Sequence, residues 1–181
     1  TGVTTFFMDD KIDNGKILMQ KEFNINDDDN YESLIKKVES YGPDLVIKSI
    51  DSIASNPKYQ KQDENNISYA PKIQKEMLLI NCFENSNINH NRVRAFSPIP
   101  GAFVKINNKR LKILKTRKTS IRSLNENISK IFIKKNKVFI GCSERLLELL
   151  EVQFEGKKKM NALSWARGNI IGSKGVILNE S

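Results

Sequence analysis

The sequence predicts two dissimilar parts, an α/β segment followed by a small, open β-barrel of the OB type, and three observations carry that prediction. Two β-branched and aromatic runs open the chain, and helical spacing of apolar residues follows them. Five short β-like runs then recur in the second part. The charge also changes sign along the chain: residues 1–68 carry 8 Lys and Arg against 13 Asp and Glu, whereas residues 69–181 carry 22 against 8.

The first strand is "TGVTTFFM", rich in β-branched and aromatic side chains. It runs straight into "MDDKIDNG", where Asp9, Asp10 and Asp13 share one short loop that ends in the turn signal Asn14-Gly15. A solvated turn is the plainer account of those residue types; the sharper one is an active-site loop, with one acid tuning or accepting a proton. Ile17 to Phe23 supplies a second strand. A first strand needs neighbours, and one further strand is few, so the expectation is a chain that begins inside a domain. Asp29-x-x-Glu32 resembles a capping box, and Tyr31, Leu34, Ile35 and Val38 mark one helical face. Tyr41-Gly42-Pro43 predicts the end of that helix, with Pro43 opening a second one whose face is Val46, Ile50 and Ile53.

From Asn56 to Asn66 apolar content is low and periodicity is absent, which reads as a linker. It continues through "ISYAPKIQKE", where Lys72 and Lys75 would face a ligand from an extended strand. The expected segments are 1–55, a connection over 56–80, and a second domain over 81–181. That domain starts with a short helix, roughly Ile88 to Ala95, and the corner "SPIPGAF". Strands are expected near Phe103–Ile106, Leu111–Lys115, Ile131–Ile133, Val138–Ile140 and Leu147–Phe154, interrupted by "TRKTSIRSLNENISK" as a basic loop. Arg94, Phe96, Pro98, Pro100 and Trp165 read as packing and corner residues.

Catalytic signals are sparse. His90 is the single histidine and has no ligand-spaced partners, so it reads as a surface or packed residue. Cys82 and Cys142 are too few and too far apart for a disulfide framework or a zinc site and read as buried thiols of a reducing compartment. No Gly-rich phosphate loop, metal motif or membrane-length apolar run occurs. A basic second part attracts polyanions within a Debye length of about 10 Å and implies salt-sensitive phosphate contacts.

Beyond these readings, several stretches together resemble the methionyl-tRNA formyltransferases. "TGVTTFFMDDKIDNGKILMQKE" is similar to the TGVT-x-x-x-MD-x-x-x-D-x-G segment of that family, and "YGPDLVIKSIDSI" to its second helix. "YAPKIQKE" resembles its interdomain segment, "VRAFSPIPGAFVKINNKRLKI" its RAF-x-P-x-PGA motif and first barrel strands, and "GKKKMNALSWARGN" its closing motif. The pieces are collinear over nearly the whole chain. One departure stands out, because "LLINCF" puts Cys82 where the family has Trp, implying looser local packing.

The resemblance implies the C-terminal remnant of a Rossmann-like formyltransferase domain followed by an OB-like β-barrel domain. It implies a formyl transferase acting in translation initiation, with 10-formyltetrahydrofolate as co-substrate and initiator methionyl-tRNA as partner, in a monomeric cytoplasmic protein that needs neither metal nor membrane. Asp13 matches the Asp of the D-x-G motif, and the family's catalytic Asn and His would lie upstream of Thr1, leaving this chain alone inactive. Asp9, Asp10, Lys11, Ile12 and Asn14 would form the folate-binding loop. Lys72 and Lys75, the basic stretch Arg117, Lys118 and Arg122, and the run Lys157, Lys158 and Lys159 are candidates for tRNA phosphate contacts, which orient a nucleic acid without reading its bases. For the last run an exposed turn with no partner is an equal reading. Two other functions fit parts of the pattern: a sugar-nucleotide N-formyltransferase, and a stand-alone RNA-binding module.

Overall fold

A computed structural model describes residues 1–55, 57–169, 171–172 and 174–178. Asn56, where the linker is expected to begin, and the last three residues of the second domain lie outside the described residues. The chain divides into two compact units, Thr1–Lys72 and Ile73–Ser181.

In the first unit, β1 (Gly2–Phe6) and β2 (Ile17–Glu22) pair antiparallel, with Gly2 opposite Glu22 and Phe6 opposite Ile17. A single helix, α1 (Tyr31–Ile53), follows. Its start is fixed by Asn30, whose side chain accepts from the Ser33 amide while Ser33 Oγ accepts from the Asn30 amide. The cap therefore sits one residue later than the Asp29-x-x-Glu32 pattern suggests. Asp29 instead takes Lys37 Nζ at 2.5 Å and the Asn26 amide at 2.7 Å, and these bonds, led by the ammonium, hold its carboxyl down at about 2.

The expected break at Gly42-Pro43 does not occur, since Pro43 lies inside α1. A proline withholds its own amide from the carbonyl four residues back, a local loss that packing on both sides of it outweighs. Tyr41 stacks on Phe23 with ring centroids 5.6 Å apart, and Leu45 is buried. Ser49, also buried, bonds Thr5 Oγ1 of β1 at 2.7 Å. The face marked by Val46, Ile50 and Ile53 is exposed, with Ile50 at 62 %.

The second unit begins with a 3₁₀ turn at Lys75–Leu78, after which Ile80 donates its amide to the Phe103 carbonyl. The helix α2 (Ser86–Phe96) is capped by Asn85 and leads through the proline corner to seven strands. They are β3 (Ala102–Ile106), β4 (Lys109–Arg122), β5 (Lys130–Lys134), β6 (Lys137–Gly141), β7 (Arg145–Phe154), β8 (Met160–Asn161) and β9 (Val176–Ile177), with the helix α3 (Ala162–Gly168) between the last two. They form one sheet ordered β3-β4-β7-β6-β5-β9, with β8 on β7, and every pairing between them is antiparallel. All five expected strands are present, each extended by a residue or more.

The expected basic loop also changes kind. Its first half, through Arg122, continues β4 along β7, with irregularities in the register that bend a strand of 14 residues. Two-residue turns join β3 to β4 at Asn107-Asn108 and β5 to β6 at Lys135-Asn136, and all four residues have positive φ, the type I′ geometry that matches strand twist. One face of the sheet carries the core: Val104, Leu111, Ile113, Ile131, Val138, Ile140, Leu147, Leu149 and Val152, closed over by Val93 of α2 and Trp165 of α3. Full burial of each such aliphatic side chain contributes about 1.5–3 kcal/mol.

Candidate functional site

The acidic loop sits between β1 and β2 and is held from three directions. Asp9 Oδ1 accepts the Lys11 amide at 2.9 Å and Asp9 Oδ2 accepts Asn14 Nδ2 at 3.3 Å, so this acid folds the loop upon itself. Gly15 is buried, and a Cβ there would collide with the Phe7 carbonyl oxygen. Residues 59–62 supply the third brace: Ile17 and Gln60 exchange both main-chain bonds, at 2.8 and 3.0 Å, and Tyr59 meets Phe7 edge-on at 5.2 Å. Gln62 then sends its Nε2 to two carbonyls at once, that of Asp13 at 2.9 Å and that of Gly15 at 2.7 Å.

Asp13 itself has φ of 53°, a left-handed conformation that a non-glycine residue adopts at a cost and that surrounding bonds must hold. Its side chain is exposed, as are those of Asp10 and Lys11. Met8 and Ile12 are 91 % and 93 % exposed, two apolar side chains presented to solvent on a loop that is otherwise acidic. The loop thus holds Asp13 on a braced backbone, with the Asp13, Met8 and Ile12 side chains exposed. Gln62, Gln60 and Tyr59 were missed by sequence reasoning, because they lie in a polar stretch without periodicity.

Among the described residues no group of three or more His, Cys, Asp and Glu side chains is placed to hold a metal, and no helix is long and apolar enough to cross a membrane. His90 is packed against β4, its Nδ1 2.8 Å from Thr116 Oγ1, and is 7 % exposed. Cys82 and Cys142 are both buried and free; desolvation pushes their thiols up to about 12 and about 11. Beside Cys82 a cleft of about 390 Å³ opens, lined by Leu79, Ile80, Val104 and Leu178.

The basic candidates fall in different places. Lys72 closes the first unit in an exposed, irregular segment, and Lys75 begins the 3₁₀ turn instead of lying on a strand. Lys157, Lys158 and Lys159 are exposed beyond β7, with Lys159 3.3 Å from Glu151. Arg117 and Lys118 are consecutive on β4, so they leave the strand on opposite sides. Arg117 faces Glu148 of β7, and Lys118 is opposite Leu147. Arg122 stands across from Arg145, a like-charged pair.

Comparison with known proteins gives these residues a family. Residues 1–50 match the model described as formyl transferase, and residues 72–169 match that described as formyl transferase, C-terminal domain. A relative named methionyl-tRNA formyltransferase, from Thermodesulfovibrio yellowstonii, is 37 % identical over 171 residues, 94 % of this chain and 54 % of its own length. The chain therefore spans about half the length of that curated relative. Among solved structures, HypX from Aquifex aeolicus in complex with tetrahydrofolic acid aligns with a TM-score of 0.67 at 14 % identity, over 95 % of this chain and 31 % of its own, a likeness of fold alone. WlaRD, described as a sugar 3N-formyl transferase in the presence of dTDP and 5-N-formyl-THF, aligns with a TM-score of 0.65 at 27 % identity, over 87 % of this chain and 56 % of its own. With family models matched to both of its units in order, the chain belongs to the formyl transferase family.

Proposed function

We propose that this chain is the second part of an enzyme that moves the formyl group of 10-formyltetrahydrofolate to the amino group of methionyl-tRNA. The observation that carries the reading is the relative of that name, 37 % identical over 94 % of this chain, with the Asp13 loop and the basic unit both inside the match. Asp13 then serves the chemistry. Attack of the amine nitrogen on the formyl carbon puts negative charge on the formyl oxygen; as that intermediate collapses, the bond from the carbon to N10 of the folate breaks, and the proton lost by the amine is made good on N10. A carboxylate beside an imidazole favours the charged ring, which donates to the oxyanion, or relays the amine proton through water. The resemblance pairs Asp13 with an Asn and a His that would be supplied from outside these 181 residues.

The loop from Asp9 to Asn14 is read as the rim of the folate site. Met8 and Ile12 would cover the pterin ring, while Asp9 and Gln62 keep the backbone in place. The exposed face of Val46, Ile50 and Ile53 would pack against the rest of a Rossmann-like domain. The second unit is read as an OB-like barrel gripping tRNA phosphates, with Lys72, Lys75, Arg117, Lys118, Arg122 and Lys157–Lys159 among its contacts.

A second reading, a sugar-nucleotide N-formyltransferase, is favoured by the likeness to WlaRD. Against it, a small substrate gives no use for 22 basic side chains over residues 69–181. The test uses an enzyme that carries these 181 residues as its second part, with 10-formyltetrahydrofolate and either methionyl-tRNA or an amino sugar nucleotide. Formylation of the tRNA is expected, and transfer to the sugar nucleotide alone would overturn the reading. The 181 residues by themselves are expected to bind tRNA and transfer nothing. An enzyme restored to full length that binds RNA and still transfers nothing would favour the RNA-binding module instead.

A further inference from the structure

The loop between β1 and β2 carries a second chemistry, directed at its own backbone. Asn14 is the single asparagine of the chain that precedes a glycine. In such a pair the main-chain nitrogen of the glycine can reach the side-chain carbonyl carbon of the asparagine, because no Cβ on the second residue stands in the way. The fold keeps that hazard in place: a Cβ at position 15 would collide with the Phe7 carbonyl oxygen, so a larger residue cannot replace Gly15 without moving the end of β1. Asn14 and Gly15 lie outside helix and strand, and among the described residues no acceptor takes the Gly15 amide. The nucleophile is therefore not tied up by the ladder of main-chain bonds that protects it in regular structure.

Two restraints oppose ring closure. Gln62 Nε2 holds the carbonyls of Asp13 and Gly15, and these belong to the peptide groups on either side of the one that joins Asn14 to Gly15. Asp9 Oδ2 accepts Asn14 Nδ2 at 3.3 Å, which fixes the direction of the side-chain amide. Closure proceeds from the locally opened loop, whose population these bonds keep small.

We propose that Asn14 is a site of spontaneous deamidation, with Gln62 and Asp9 as the brake that sets its rate. The Gly15 nitrogen bonds to Asn14 Cγ and gives its proton to water; the Cγ–Nδ2 bond breaks and ammonia leaves, closing a five-membered succinimide. Water then opens the ring at either carbonyl and leaves aspartate or the β-linked isoaspartate at position 14. Either product undoes the loop that formed it. A carboxylate there cannot donate to Asp9 and stands beside it as a like charge. The isoaspartate also lengthens the main chain by one methylene, which shifts the Gly15 carbonyl from the spacing at which Gln62 spans it and that of Asp13. Asp13, held in its left-handed conformation by those bonds, is released, and an enzyme that uses Asp13 loses turnover as it ages. Only this last consequence rests on the proposed function.

The test incubates the 181-residue chain at mildly alkaline pH and follows each asparagine by peptide mapping that separates aspartate from isoaspartate. Gln62→Met removes the brace, and Asp9→Ala removes the acceptor of Asn14; each is checked for an unchanged melting curve. Asp9→Ala, at an exposed side chain, carries the test should Gln62→Met not fold. Isoaspartate is expected at Asn14 ahead of every other asparagine, about 5- to 150-fold faster in Gln62→Met, the factor by which losing two hydrogen bonds raises the opened population. It is expected to form faster in Asp9→Ala as well. Conversion at Asn14 no faster than at other asparagines overturns the site, and equal rates in the unmodified chain and a folded variant overturn the brake. In an enzyme carrying this chain, turnover is expected to fall in step with isoaspartate at position 14. Turnover that persists while position 14 converts overturns that consequence, and with it the role given to the loop, while the modification stands.

Discussion

Replacing Gln62 by Met removes a donor while keeping volume, and the structure says how much that matters. Its Nε2 holds the carbonyl of Asp13, the residue proposed for chemistry, and that of Gly15. Each such bond contributes about 0.5–1.5 kcal/mol net, so the braced loop loses about 1–3 kcal/mol relative to its disordered states. The main-chain exchange between Ile17 and Gln60 survives, which confines the effect to residues 13–15. If catalysis needs Asp13 pre-positioned, that loss converts to a fall in kcat/KM of about 5- to 150-fold, at 1.4 kcal/mol per factor of ten. The assay is formyl transfer to methionyl-tRNA by an enzyme carrying this chain, paired with tRNA affinity and hydrogen exchange at residues 13–16. The expected result is faster exchange there, a lower kcat/KM and unchanged tRNA affinity. A kcat/KM within twofold of the unmodified enzyme, despite faster exchange, would refute the claim that the loop's order serves the reaction.

Other outcomes follow from the buried and ion-paired groups. With thiols pushed to about 12 and about 11, Cys82 and Cys142 are expected to alkylate at pH 8 at least about a hundredfold slower in the native chain than in urea, since each pKa unit is a factor of ten in thiolate. Their burial stabilises the fold below the ordinary thiol range and ceases to do so as pH rises towards 11 to 12, so melting temperature is expected to fall across that alkaline window, and less so in a Cys82→Ala, Cys142→Ala chain. Asp29 acts in the opposite sense. Its carboxyl is depressed to about 2, chiefly by Lys37, so its contribution is present above the ordinary carboxylate range and lost as pH falls towards 2. The deficit in melting temperature of Asp29→Asn is therefore expected at pH 6 and should vanish near pH 2. Leu111→Ala, at a site with no exposed surface between β3 and β7, is expected to cost about 2–5 kcal/mol by denaturant titration.

The strands and the short helix of the second unit were legible because they rest on local alternation, β-branching and turn residues, all of which act over a few residues. Pro43 shows where that legibility ends. Its local cost is real, but Tyr41 against Phe23 and Leu45 in its packing site act over distances no window of sequence contains. Arg117–Arg122 failed for a related reason: its cationic and hydroxyl side chains read as a loop, while pairing with β7 satisfies their backbone and fixes a strand. In the candidate site, the three acids and the glycine were visible as a motif. What braces them, Gln62 above all, comes from 47 to 49 residues away and carries no pattern of its own. Glu148 was hidden in the same way, as a single acid in an apolar run whose pairing on both sides decides what it meets.

The most direct measurement on the central claim is turnover by Asp13→Asn in an enzyme that carries this chain, with tRNA affinity measured on the same preparation. A carboxylate that relays a proton or sustains a charged imidazole contributes about 10²- to 10⁴-fold. A loss of that size in kcat, with tRNA affinity unchanged, is the predicted result. Turnover at the unmodified rate would contradict a chemical role for Asp13.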